Sequence, residues 1–316
     1  MTPVSGKRLG ALVIAATVLL AACGGSAATP SPTTAPTAAP SVAASMAASM
    51  APSAAASAAA VNCVTGSITA AGSTALQPLV DAAGKQYMTA CPGSTVSVQG
   101  GGSGTGLTQV AAGTVQIGNS DVTAESKLAA ADAAKLVDHV VARQGWVMVV
   151  NNKVTGVTSL TTKQATDIWT GTTTNWKDVG GPDLPIVLIF RPSSSGTRAT
   201  FKKIVLGGAT EATSGQTLTQ DSNGTVTTSV STTDGATSVI GFSYYQSNKT
   251  VVTALGLDGV AGSVDNMVND TYKLQAFGHM YSSTSPDALT TAFLDYMMSD
   301  AVQHTLIPSL FYGQAK

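Results

Sequence analysis

The sequence predicts an α/β protein in which mainly parallel sheets are flanked by helices, exported and held on a tether. Three observations predict it. Short runs of strand-forming residues, among them Val96–Gln99, Val140–Asn151 and Ile186–Phe190, alternate with helical patterns. Several junctions between them are turns rich in glycine and hydroxyls. The first 61 residues divide into a short apolar leader and an almost uncharged stretch that has too little apolar surface for a core. About 255 residues follow, enough for two domains with buried interiors.

At the N-terminus, Lys7 and Arg8 precede the apolar run Ala11 to Ala22. A bilayer span needs about 20 residues, so this shorter run suits the core of a signal peptide. Leu20-Ala-Ala-Cys23 resembles a bacterial lipobox, which implies removal of residues 1–22 and lipidation of Cys23. A bare hydrophobic anchor is the alternative. Residues 23–61 are mostly Ala, Ser, Thr, Pro, Gly and Met, and read as a flexible tether in which repeated proline opposes a long helix. With Cys23 assigned to lipid, Cys63 and Cys91 remain as a pair in an oxidising compartment and are expected to form a disulfide, two free thiols being the alternative.

The folded part opens with a strand at Gly66–Ala70, the turn Gly72-Ser-Thr74 and a helix through Leu79, Val80 and Ala83. A second strand, Val96–Gln99, runs into Gly100-Gly-Gly-Ser-Gly104, after which helical spacing resumes at Leu107 and Val110. The strand Gly113–Ser120 ends in Asp121, ahead of a helix expected around Glu125 to Val137. The apolar run Pro185–Phe190 hands over to Arg191-Pro-Ser-Ser-Ser-Gly-Thr-Arg198 and a helix from Ala199. Unpaired N–H groups and the macrodipole make each helix start a place for an anion. Ser195, Gly196 and Thr197 add backbone donors and two hydroxyls, and Arg191 adds a planar fork for two oxygens of one oxyanion. Any one such turn also reads as an ordinary N-cap. Three of the same character point to one small oxyanion.

An aspartate aimed at an anion repels it unless the anion carries a proton. Hydrogen phosphate does, and a carboxylate can accept it; sulfate does not, and leaves a buried acceptor unpaired at a cost of about 1–3 kcal/mol or more. Asp121 is therefore read as a selectivity filter, the alternative being a helix cap.

Other chemistries find less support. Leu107-Thr108 follows Gly101–Gly106 where a P-loop needs Lys then Ser/Thr, and no dinucleotide fingerprint fits. His139, His279 and His304 are scattered and outside any nucleophile motif, so no catalytic set, cofactor or metal site is expected. Loss of residues 1–22 removes Lys7 and Arg8 and no acid, leaving 14 basic against 17 acidic residues and a net charge near −3. That lacks the cationic footprint of a nucleic-acid binder.

Taken together, residues 64–316 resemble the phosphate-binding subunit of phosphate ABC transporters, a substrate-binding protein of the type II periplasmic-binding fold. The strongest motifs are Gly72-Ser-Thr74, Gly100-Gly-Gly-Ser-Gly104, Ile117-Gly-Asn-Ser-Asp121 and Arg191 to Thr197, with weaker support from Asp167-Ile-Trp169, Thr174 to Gly181 and Ile240 to Tyr244. The resemblance implies that Thr74, Ser103, Asp121, Arg191, Ser195, Gly196 and Thr197 contact phosphate, with Ala75 giving a backbone N–H. It also implies two lobes that exchange chain twice, near Val141–Gln144 and Leu274–Phe277. Residues 62–143 and 275–316 form lobe one, and residues 144–274 form lobe two. The expected activity is delivery of phosphate to a membrane ABC permease from outside the cell membrane, by a monomer. Recognition of another tetrahedral oxyanion is the second reading, and a secreted phosphate-ester hydrolase the third. Ser193 and Ser194 stand where the family commonly has an acid beside the arginine, and Gln116 replaces a frequent aspartate. Arg191 is then expected to be oriented by something else.

Overall fold

Alternation along β1 (Gly66–Gly72) turns Ile68 and Ala70 into the interior. The chain then bends through Ser73–Leu76 into α1 (Gln77–Ala90), where Pro78 sits in the first turn and its missing N–H leaves no intrahelical bond unmade. Leu79, Val80, Ala83 and Tyr87 recur at helical spacing and are buried on one face. This computed structural model describes residues 61–213 and 217–315. The leader of residues 1–22, Cys23 and the tether up to residue 60 lie outside the described residues.

The elements continue as β2 (Ser94–Gly101), α2 (Ser103–Ala111), β3 (Ile117–Ser120), α3 (Ala130–Ala133), β4 (Leu136–Asn151), β5 (Ser159–Leu160) and α4 (Thr162–Trp169). They are followed by β6 (Val187–Phe190), α5 (Gly196–Ile204), β7 (Thr217–Thr219), α6 (Asn223–Thr232), β8 (Ala236–Gly241) and α7 (Phe242–Gln246). The chain ends with β9 (Val252–Leu257), α8 (Val264–Val268), β10 (Gln275–Ser283), α9 (Ala288–Met297) and α10 (Ile307–Ser309).

The strands hydrogen-bond in the order β2-β1-β3-β10-β4-β8-β6-β7, with β9 also on β4 and β5 on β9. Pairing is parallel between β1, β2 and β3, between β6, β7 and β8, and between β5 and β9. It is antiparallel wherever β4 or β10 takes part, so the parallel sheets expected from sequence are joined by two long strands running against them. β4 changes partners midway: Leu136 to Gly145 pair with β10, and Trp146 to Asn151 pair with β8 and β9.

The interior divides at the same place. One cluster of buried side chains draws on residues from Trp146 to Leu274, including Trp176, Phe201 and Ile240, with Ala75 as its one member from earlier in the chain. A second joins Ile68, Leu79, Tyr87, Val141, Phe293 and Met297, and a third gathers Leu107, Val110 and Tyr281. Tyr87 packs edge-on to Phe293 with centroids 5.7 Å apart. Trp176 is fully buried, and its indole N–H donates to the Gly235 carbonyl at 2.9 Å.

The helix expected around Glu125 to Val137 is not formed. Ala124–Ser126 makes one 3-10 turn, α3 has four residues, and β4 begins at Leu136. Here the alanine run favours helix only locally, while Leu136, Val137 and Val140 gain cross-strand pairing with β10, which outweighs it. Cys63 and Cys91 form the expected disulfide, with Cα atoms 5.1 Å apart. Among the described residues no helix is long and apolar enough to cross a membrane, and no group of three or more His, Cys, Asp or Glu side chains could hold a metal.

Candidate functional site

Four helix starts meet at one place, and each follows a strand. α1, α2, α5 and α6 begin after β1, β2, β6 and β7, and the turn before α1 and the first residues of the other three bring together Thr74, Ser103, Thr197 and Asn223. Gly102 caps α2 at φ 85°, a conformation that favours glycine, and its missing side chain leaves room for the Ser194 carbonyl. Gly104 N–H then donates to that carbonyl at 2.8 Å. Residues about 90 positions apart are thus joined through backbone atoms alone.

All eight residues expected at the site are brought together. Asp121, at the end of β3, is buried, and its own N–H donates to Ser103 Oγ at 2.9 Å. Its carboxylate accepts from the Ser73 hydroxyl, from Gln144 Nε2 at 2.9 Å and from Thr197 Oγ1 at 3.2 Å. Asp121 does not cap a helix. Gly196 lies so close to Ser103 and Asp121 that a β-carbon there would sit 2.7 Å from Asp121 Cβ. Ser195 caps α5, accepting the Arg198 N–H at 3.2 Å. The Ala75 N–H donates to Ser73 Oγ at 3.1 Å, within its own turn.

Arg191 is buried beside them. Its Nη2 donates to Thr74 Oγ1 at 3.2 Å and to the Asp221 carbonyl at 2.9 Å. Its Nε and Nη1 meet no hydrogen-bond partner among the described residues. A buried guanidinium with free donors is costly unless an oxyanion meets them. As expected from Ser193 and Ser194 standing where the family commonly has an acid, something else holds the arginine: a main-chain carbonyl and a hydroxyl. Arg198, which stacks toward Phe190, is gripped on two nitrogens by Glu211 at 2.6 to 3.1 Å and donates to the Arg191 carbonyl at 2.6 Å. Gln116 serves the sheet, accepting the Thr69 N–H at 2.9 Å.

Electrostatics follow from burial. Desolvation pushes the Asp121 carboxyl above its ordinary value, opposed by hydrogen bonds from Ser73 and Gln144, the charge of Arg191 and the Thr197 hydroxyl. Desolvation lowers Arg191 in turn, opposed by Asp121 and Asp221. The histidines have other partners. His279 pairs with Asp138 at 2.9 Å, His139 with Ser282 at 3.1 Å and His304 with Asp300 at 3.2 Å.

Three contributors escaped the sequence reading. Asn223 donates to Thr74 Oγ1 at 3.0 Å and accepts the Gly241 N–H at 3.0 Å. Its signal was present: Ser222-Asn-Gly-Thr225 is one more hydroxyl-rich turn between strand and helix, with a capping box. Lys127 Nζ donates to the Ser193 carbonyl at 2.7 Å, and no local pattern marks it. Gln144 sits mid-strand, where only the tertiary structure shows its reach.

An α/β body with two main interiors, and a buried arginine, a buried carboxylate and helix starts meeting where they adjoin, defines a solute-binding protein. Residues 57–301 match the model of the PBP superfamily domain. The chain is 44% identical over 248 residues to the phosphate-binding protein PstS of Bacillus subtilis, covering 78% of this chain and 80% of that protein. Its structure is similar to that of a phosphate ABC transporter substrate-binding protein from Clostridium perfringens with bound phosphate, at TM-score 0.72 and 27% identity, over 79% of this chain and all of that one. It is also similar to an ABC-type phosphate transport receptor from Vibrio cholerae, at TM-score 0.62 and 28% identity, again over 79% and 100%. The chain belongs to the PstS family of phosphate-binding proteins within the PBP superfamily.

Proposed function

We propose that this protein binds inorganic phosphate where the four helix starts meet and delivers it to an ABC importer in the membrane, without chemical turnover. The observation that carries this is the pairing of a buried acceptor, Asp121, with a buried Arg191 whose Nε and Nη1 are uncommitted. A hydrogen phosphate satisfies both, because its oxygens take the arginine donors and its own proton goes to the carboxylate. Thr74, the Ala75 backbone, Ser103, Ser195, Gly196 and Thr197 supply the remaining contacts. The Ala75 N–H reaches the ligand while sharing its bond to Ser73 Oγ, and the Ser195 hydroxyl, whose oxygen accepts the Arg198 N–H, keeps its own proton to donate.

Residues 62–143 with 275–316 act as one lobe and residues 144–274 as the other, the chain crossing on β4 and at the start of β10. The change of pairing partners at Trp146 and the division of the interior support this. Ligand contacts from both lobes favour the closed arrangement, so closure reports occupancy to the permease. Cys23 anchors a monomer to the outer face of the cell membrane by its lipid, on the tether of residues 24–61.

Isothermal titration with phosphate, sulfate and molybdate tests the reading. Binding of phosphate with strong preference over sulfate is expected. Equal affinity for all three would replace it with a general oxyanion receptor, and phosphate release from esters would replace it with a hydrolase.

A further inference from the structure

Asp121 follows β3, and β10 separates β3 from β4, so a residue of β4 reaches Asp121 only by crossing β10. Gln144 does this. Its path runs over Gly278 of β10, where a β-carbon would stand 3.4 Å from Gln144 Nε2 and 2.9 Å from Leu76 Cδ1. The amide then donates to Asp121 Oδ1 at 2.9 Å, the same oxygen that receives the Ser73 hydroxyl. Ser73 Oγ already accepts the N–H groups of Ala75 and Leu76, each at 3.1 Å, so its lone pairs are taken and its one proton goes to Asp121. Gln144 likewise turns its NH2, which cannot accept, and not its carbonyl oxygen toward Asp121. Neither partner of Oδ1 can receive a proton from a protonated Asp121. Both therefore favour the ionised carboxylate, and both leave Oδ2, beside Thr197, as the atom that meets a ligand proton.

We propose that Gln144, on the strand shared by the two halves of the sheet, is a positioning residue that keeps Asp121 an ionised acceptor and so sets the discrimination between protonated phosphate and proton-free sulfate. This rests on the phosphate reading above. Burial drives Asp121 toward the neutral form, and once protonated it becomes a donor that welcomes sulfate. The charged and titratable groups facing Asp121 are Arg191 beyond β6, Lys127 after the 3-10 turn and Tyr312 near the C-terminus. Their own hydrogen bonds go to Thr74 and Asp221, to Ser193, and to the Ala75 carbonyl. Gln144 and Ser73 hold Oδ1.

The test is the affinity of the full chain for sulfate and phosphate, measured by titration calorimetry from mildly acidic to mildly alkaline pH, in wild type and Gln144→Met. Sulfate carries no proton across that range, so its pH dependence reports the protein. The pH at which sulfate binding fades is expected to rise by about one to two units in Gln144→Met, from loss of one hydrogen bond to a charged group. The phosphate-to-sulfate ratio at neutral pH falls about ten- to a hundredfold with it. Should that variant fail to fold, Gln144→Asn, one methylene too short to reach, carries the same measurement. A packing role would weaken both anions together and leave the pH midpoint in place, and that result overturns the inference. A wild type that binds no phosphate sinks the functional reading instead.

Discussion

Replacing Gly196 by alanine separates stability from function. Gly196 opens α5, and it is absent from the positions with left-handed φ, so the backbone there accepts an alanine. Within α5 alone the change is neutral or favourable, since alanine outranks glycine in helices by up to about 1 kcal/mol. The difficulty lies across the site. A β-carbon would overlap Ser103 Oγ and stand 2.7 Å from Asp121 Cβ and 2.9 Å from Asp121 Oδ2, where ordinary contact begins at 3.4 Å. Residues 103 and 121 belong to one proposed lobe and 196 to the other, so the collision arises only when the lobes close. Overpacking of this kind costs about 1–3 kcal/mol, or roughly 5- to 150-fold in phosphate affinity. Calorimetric titration should show that loss, and thermal unfolding without phosphate should show a midpoint equal to or above that of wild type. Wild-type affinity would remove Gly196 from the closed contact. A ligand-free stability loss as large as the affinity loss would mean the contact is permanent, and closure would not be its origin.

Arg191→Ala strips a charged donor from a desolvated anion and leaves Asp121 without its counter-charge, so phosphate binding should weaken by about 2–5 kcal/mol in the same titration. Asp121→Asn should narrow the phosphate-over-sulfate preference in competition binding. The same variant also tests the burial of this carboxyl. Its native pKa is raised above the ordinary 3.8, so ligand-free wild type loses stability as pH rises from that value through the native one, and the asparagine variant, followed by thermal unfolding, should not show that loss. Cys63→Ser with Cys91→Ser opens a loop closed over 28 residues and should lower unfolding free energy by about 2–4 kcal/mol in urea, with phosphate affinity retained. Lys127→Met removes the bond to the Ser193 carbonyl and a positive charge that faces Asp121; stopped-flow should show faster phosphate release, and the phosphate-to-sulfate ratio at neutral pH should fall.

Much of the site was legible because its parts share one local grammar. A strand, a turn of glycine and hydroxyls, and a helix start recur at Gly72-Ser-Thr74, Gly100 to Gly104 and Arg191 to Thr197, and backbone physics assigns each the same use. Asn223 obeys that grammar and was passed over because its strand, Thr217–Thr219, is too short to announce itself. Gln144 was illegible for another reason. Its neighbours Ala142 and Trp146 read as strand core, and nothing local says that Gly278, more than 130 residues on, leaves the gap its side chain uses. The missing helix at Glu125 to Val137 is the opposite case, where a local signal was clear and lost. Alanine propensity there is worth tenths of a kcal/mol per residue, and pairing of β4 with β10 along Leu136 to Gly145 overrides it.

The arginine that lacks its expected acid shows how the charges are shared. A carboxylate in direct contact with Arg191 would compete with the ligand for the same donors. Here the guanidinium is held by the Asp221 carbonyl and the Thr74 hydroxyl, neither of which carries net charge, and Thr74 Oγ1 is itself fixed by Asn223. Asp121 and Asp221 support the cation through space. On the phosphate reading, the positive charge stays free for an anion, and the buried Asp121 carboxylate repels one that carries no proton. On that reading attraction and discrimination fall to different residues, and the proposed role of Gln144 bears on the second.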